Sequence, residues 1–328
     1  MRTNLLKRFA AILALAVLPF VTSCSNDDNN ASTQNNLTIA EIASSNGDLT
    51  ILVEALKKAD LVSVLNASGE YTVFAPSNQS FQKFLSDNGF TSLNEVPVGV
   101  LKDVLLNHVI NKKLEAADLQ TGYVSTLAKG SAATTNNISM YVDTTNGVVL
   151  NGGAENNGAT VTTANIKASN GVIHLVDHVI GLPTIVNHAV ANPNFSILVS
   201  ALTRNDQPDF AGILSGTEGS PFTVFAPINT AFVNLLGELN LPGLADVPQE
   251  VLENTLKYHV VAGANVLSTN LTNAQSVQTF QGDSFIVNIN NSVTITDTAD
   301  RTANIIAVDV QASNGVIHAI DKVILPNL

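Results

Sequence analysis

Apolar positions follow two periods along this chain, and the period changes twice in the same order. Ile51, Leu52, Ala55 and Leu56, and later Ile197, Leu198, Ala201 and Leu202, fall at helical spacing, which predicts amphipathic helices with Asp48 and Asn194 as N-caps. Each is followed by a short wholly apolar run, Thr72–Pro76 and Thr223–Pro227, that reads as a buried strand stopped by proline, with Asn78 and Asn229 capping the helices of Phe81 and Phe232. Pro97 and Pro248 then open helices that end at His108 and His259, with Val100, Val104 and His108 on one face. Beyond these points the pattern alternates. Phe285, Val287 and Ile289 share one face of a strand, Asn290-Asn291 turns, and Val293 and Ile295 continue; the first half does the same more loosely around a polar loop at Asn151–Gly158. Helices first and strands after predict an α+β fold.

The recurrence is a tandem duplication. Ala168–Ile180 and Ala312–Ile324 agree at ten of 13 positions. Tyr71–Pro76 and Leu106–Ile110 recur 151 residues later, whereas this last stretch recurs after 144, so length changes lie between the histidine and the final strands. In each copy Asn-Gly stands between apolar runs and predicts a tight hairpin. His174 and Asp177 would point to opposite faces of a strand, so the spacing argues for residues that brace strand ends rather than for a catalytic pair. Residues 37–182 and 183–328 make two domains of 146 residues each, joined by only Gly181-Leu182-Pro183.

The start of the chain reads as an address. Arg2, Lys7 and Arg8 precede an apolar run from Phe9 to Val21, too short for a permanent span, which ends in Val-Thr-Ser before Cys24. This resembles a bacterial lipobox and implies that residues 1–23 are a signal peptide and that Cys24 carries lipid. Residues 24–36 then form a tether that holds no large apolar side chain after the cysteine. Asp27-Asp28 reads equally as a surface-export signal or as solubilising charge. Removing residues 1–23 takes three of the 15 basic residues and none of the 27 acidic ones, leaving a net charge of −15. With no basic cluster, nucleic acid is excluded as a partner.

Candidate chemistry is sparse. There is no nucleophile elbow, zinc-protease helix or phosphate loop, so the sequence predicts neither an enzyme nor a cofactor. His174 and His178 would share one face of a strand but lack a third ligand, and repeat 2 has Lys322 in place of the second, so no metal is expected. The lone cysteine rules out an intramolecular disulfide.

The Thr-Val-Phe-Ala-Pro-x-Asn-x-x-Phe block at Thr72–Phe81 and Thr223–Phe232, with Asn-Gly-Val-Ile-His-x-x-Asp-x-Val-Ile after it, resembles the two motifs of the fasciclin-like (FAS1) domain family. The resemblance covers nearly all of residues 37–328. It implies two tandem β-wedge domains flanked by helices, in an extracytoplasmic adhesion protein that meets protein or polysaccharide at a cell surface or matrix. With the lipobox it places the chain at the outer membrane or cell surface. It also implies a second reading, a carrier holding a small apolar ligand between helices and sheet. A Tyr-His pair between the motifs is linked with adhesion in animal members. Tyr258-His259 matches it, and His108 follows Asn107 instead. Tyr258, His259 and His108 are therefore the candidate partner-binding residues, with Tyr258 expected at the edge of its helix face, its hydroxyl exposed.

Overall fold

The computed structural model describes residues 36–327. Residues 1–35, which hold Cys24 and all of the tether but Asn36, lie outside them. Repeat 1 runs α1 (Ile39–Ser45), α2 (Thr50–Lys58), α3 (Val62–Asn66), β1 (Tyr71–Pro76), α4 (Asn78–Asp87), α5 (Val98–Asn107), β2 (Val109–Ile110), β3 (Gly122–Gly130), β4 (Ala133–Asp143), β5 (Val149–Leu150), β6 (Ala159–Ala168) and β7 (Gly171–Val176). Repeat 2 repeats the plan as α6 (Ile185–Ala191), α7 (Ser196–Leu202), α8 (Phe210–Ser215), β8 (Phe222–Pro227), α9 (Asn229–Glu238), α10 (Gln249–Tyr258), β9 (Val260–Ala262), β10 (Gln275–Gln278), β11 (Ser284–Ile289), β12 (Val293–Thr296), β13 (Thr302–Ala312) and β14 (Gly315–Ile320). The fold is α+β, and both repeats lie in one compact unit.

Among the described residues each repeat builds one seven-stranded sheet, ordered β2-β1-β7-β6-β5-β4-β3 and β9-β8-β14-β13-β12-β11-β10. The two family-like motifs meet on its second and third strands, next to the short edge strand β2 or β9. β1 pairs parallel with β7, Tyr71 opposite Gly171, and β8 with β14, Phe222 opposite Gly315. Val73 and Ala75 enter a core under the helices, while Phe74 enters a second core with Met140, Val142 and Leu150. A strand buried on both faces carries a continuous apolar run rather than an alternating one, which is why the Thr-Val-Phe-Ala-Pro block reads as it does.

Four local expectations are corrected. The hairpin turn is Ser169-Asn170, not Asn170-Gly171, because Ala168 already pairs with Gly171. Glycine is required there by proximity: a Cβ would stand 2.1 Å from the Tyr71 carbonyl oxygen in repeat 1 and 2.2 Å from that of Phe222 in repeat 2. Asp48 and Asn194 are not caps. Asn46 and Asn192 accept from the amides of Asp48 and Asn194, and start short 3₁₀ turns just before α2 and α7. Nor do Asn78 and Asn229 cap their own helices; each accepts from a neighbouring helix, at the amides of Ile51 and Ile197, both at 2.9 Å. Finally, Val100 is 49% exposed, and the buried stripe of α5 is Leu101, Val104, Leu105 and then His108 at its C-cap.

Candidate functional site

The polar residues of the two motifs converge inside each repeat. Asn170, in the turn before β7, accepts from the Ile39 amide at the start of α1 and donates to the carbonyls of Leu65 and Ala67 at the end of α3. Asn314 does the same with Ile185, Leu214 and Gly216. One amide side chain thus ties the first helix, the third helix and the last hairpin together. Thr72 donates to the Lys112 carbonyl and accepts from the Leu114 amide, and Thr223 holds Ala264 and Val266 alike.

The histidines complete this frame. His108 donates from Nδ1 to Val104 O at 2.7 Å and accepts at Nε2 from the Ile180 amide at 2.9 Å. His259 uses Thr255 O and the Ile324 amide in the same way. Both rings are neutral Nδ1–H tautomers, since a carbonyl can only accept and an amide can only donate. Burial pushes both down to about 4, with the carbonyl contact opposing it. His174 and His318 use the other tautomer, donating from Nε2 to Leu114 O and Val266 O and accepting from the amides of Asn165 and Asp309; burial lowers them as well. With both nitrogens engaged, His174 has no lone pair for a metal. His178 is not on the strand, which ends at Val176, and lies 3.1 Å from the Asp177 carboxylate. Asp177 and Asp321 accept from the amides of Thr160 and Asn304 and so brace the strand ends.

Tyr258 departs from its expected place. It is 0% exposed, packed on Phe285, and its hydroxyl donates to Ser284 O at 3.0 Å. Burial pushes the phenol up to about 12. His108 and His259 are buried with it, so none of the three candidate partner-binding residues presents a polar atom to solvent. The expected exposed hydroxyl fails because α10 turns Tyr258 into the inner core of repeat 2.

A further histidine went unnoticed in the sequence. His188, on α6, is fully buried where the repeats meet: its ring packs edge-on against Tyr123 of β3 at 5.5 Å, and Tyr123 packs on Tyr141 at 5.0 Å. Nε2 reaches Gln311 O at 3.3 Å, Nδ1 has no partner, and burial lowers it to about 4. Around it the Gln311 amide donates to Ser139 Oγ, the Ala132 amide to Ser313 O, and Asn156 exchanges hydrogen bonds with Asn187. The only sequence signal was a departure from the repeat, as Ile42 holds the equivalent place in α1.

Among the described residues, two broad clefts open at the surface. One, of about 620 Å³, lies between the segment after β2 and the strand β3, with Lys112, Asp118 and Asn137 among its walls. The other, of about 970 Å³, lies beside α8 in repeat 2.

The sequence matches the family described as Fasciclin domain twice, over residues 47–183 and 193–326. The chain belongs to the fasciclin domain family. Its domain pair is similar in fold to the solved FAS1 domain pair of the insect cell adhesion molecule fasciclin I, with a TM-score of 0.53 at 21% identity over 86% of this chain and 98% of that one. Among relatives, Protein sll1483 of Synechocystis is 39% identical over 150 residues, 46% of this chain and 76% of that protein. Human periostin is 29% identical over 269 residues, 80% of this fasciclin-domain chain but only 29% of periostin. Domains of this family occur in adhesion and matrix-interacting proteins. Among the described residues no helix is long and apolar enough to cross a membrane.

Proposed function

We propose that this chain is an extracytoplasmic interaction protein, lipid-anchored through Cys24, that binds a protein or polysaccharide at a cell surface or matrix and performs no catalysis. In this reading repeat 1 spaces repeat 2 from the anchor, and repeat 2 carries most of the affinity. The observation behind that assignment is where apolar side chains reach solvent. Of the 11 exposed large hydrophobic residues among those described, Leu37, Val98 and Val100 belong to repeat 1 and the other eight to repeat 2. Solvated apolar side chains are available to be buried by a partner. The motif histidines and Tyr258 act behind that surface, holding the scaffold.

The carrier reading is weaker. Two enclosed apolar spaces against the helices of repeat 2 measure about 20 and 90 Å³. A small-molecule site generally needs about 300 Å³ or more.

The test has two arms. Cells expressing wild type or Cys24→Ala are fractionated: wild type is expected with membranes and the variant in the soluble fraction, and both in the soluble fraction would overturn the anchor. Full-length chain bearing Cys24→Ala is then screened against arrays of matrix proteins and polysaccharides. At least one class should be captured, and capture of none would overturn the interaction reading.

A further inference from the structure

The 970 Å³ cleft of repeat 2 lies between α8, the turn before β8 and the end of β9. Its floor is the buried Phe222 and the β9 residue Ala262. Its walls carry Ile213 of α8, 41% exposed, and Phe280, 49% exposed. The backbone fixes both sides: the Phe280 amide donates to Val260 O at 2.6 Å, and the Gly263 amide donates to Gly219 O at 2.8 Å. Phe280 therefore stands half in solvent on backbone that is already held, so the backbone there has less freedom left to lose when a partner covers it.

Repeat 1 builds the corresponding place differently. The segment from its third helix to its first strand, Ala67 to Tyr71, is two residues shorter than Gly216 to Phe222. The Tyr71 ring also lies over Gly69, where a Cβ would be 2.8 Å from the ring. The opening thus depends on a longer turn and on Phe222 lying back into the core.

Charge decides what the cleft accepts. Asp209 and Glu218 line it, both exposed, and no lysine, arginine or histidine does. Asp209 spends one oxygen on the Gly212 amide at 2.8 Å, and neither carboxylate is paired with a cation among the described residues. On a chain of net charge −12 this rim repels acidic polysaccharide and anionic lipid, and it complements a cationic partner.

We propose that this cleft binds a basic protein segment that inserts a large apolar side chain beside Phe280 and Ile213 and sets lysine or arginine against Asp209 and Glu218. The inference rests on the interaction reading above and names the partner's chemistry. An apolar anchor in a preformed pocket, ringed by complementary charge, is the arrangement in which a few residues carry most of the binding energy.

The test uses full-length chain bearing Cys24→Ala and three fluorescein-labelled twelve-residue peptides: lysine with phenylalanine at every fourth position, the same peptide with glutamate for lysine, and the same with alanine for phenylalanine. Fluorescence anisotropy should show binding of the first alone. Phe280→Ala, a change at an exposed side chain, should weaken that binding about tenfold or more. Glu218→Lys should weaken it as well while admitting the glutamate peptide. Equal affinity for Phe280→Ala and the parent, or equal affinity for the lysine and glutamate peptides, would overturn the proposal. So would concentration-dependent self-association abolished by Phe280→Ala, which would give the surface to a second copy. If the matrix array captures the parent and Phe280→Ala equally, the cleft is overturned and the interaction reading stands. If the array captures nothing while the lysine peptide binds and Phe280→Ala does not, the reverse holds.

Discussion

Acidification from pH 7.5 to 5 should destabilise this chain through its buried histidines. His108, His188 and His259 are each held at about 4 in the folded chain, against about 6.5 for a solvated imidazole. A base with a depressed folded pKa takes its proton more readily when unfolded. Its contribution to stability is therefore full above about pH 6.5 and is lost as the pH falls toward 4. At pH 5 the linkage relation gives a loss of roughly 2 kcal/mol per histidine, or about 6 kcal/mol for three, set against a usual total of about 5–15 kcal/mol. His174 and His318 are lowered too and act in the same direction. The geometry supplies the cause: protonating Nε2 of His108 would turn an acceptor into a donor aimed at the Ile180 amide in a dry interior. Urea unfolding followed by circular dichroism at pH 7.5, 6.5, 5.5 and 5 isolates the effect, because most carboxylates titrate below that window. His188→Ile, which installs the residue repeat 1 carries at that place, should remove one histidine's share of the pH slope. An unchanged urea midpoint between pH 7.5 and 5 would refute the reasoning.

Other outcomes follow from single contacts. Gly171→Ala or Gly315→Ala drives a Cβ to within 2.2 Å or less of a carbonyl oxygen on the adjoining strand and should cost at least about 3 kcal/mol, read as a fall in melting temperature. Asn170→Ala strands the Ile39 amide and the carbonyls of Leu65 and Ala67 and should cost about 2–4 kcal/mol, with faster hydrogen exchange at Ile39. Tyr258→Phe should cost about 1 kcal/mol by leaving Ser284 O without its donor, and should leave partner binding unchanged; a loss of binding in a folded Tyr258→Phe chain would return that residue to the surface role its sequence suggests.

Much of the architecture was legible because periodicity and duplication act together. The blocks at Thr72 and Thr223 form strands of the sheet interior, where burial on both faces leaves a continuous run. What the sequence hid was set by contacts between distant segments. Asn78 reads as a cap, but its amide is drawn to the helix next door because Ser77 already caps its own. Asn-Gly reads as the two residues of a turn. The glycine is there because another strand's carbonyl passes too close for a side chain, and no local pattern records that. Tyr258 sits one position from a buried histidine, and helical spacing alone leaves its direction open within a wide arc. Repeat 2 fills the inner core with Tyr258 where repeat 1 has Asn107, bonded to Gly181 O. The cleft at Phe280 depends on two extra residues and a register between segments far apart in sequence.

The closure of each repeat on itself sets how it would carry tension. Chain entering repeat 1 is bonded at once to the turn before its last strand, through Leu37 O to the Ser169 amide and the Ile39 amide to Asn170; Pro183 O and Ile185 meet Ser313 and Asn314 in the same way. A pull applied to the two ends of a repeat therefore crosses directly onto β7 or β14 and leaves six residues later. Everything from α1 to β6, most of the folded mass, lies off the line of force. Load falls first on the few hydrogen bonds that join the entering chain to that turn, side by side, so that they must break together rather than one by one.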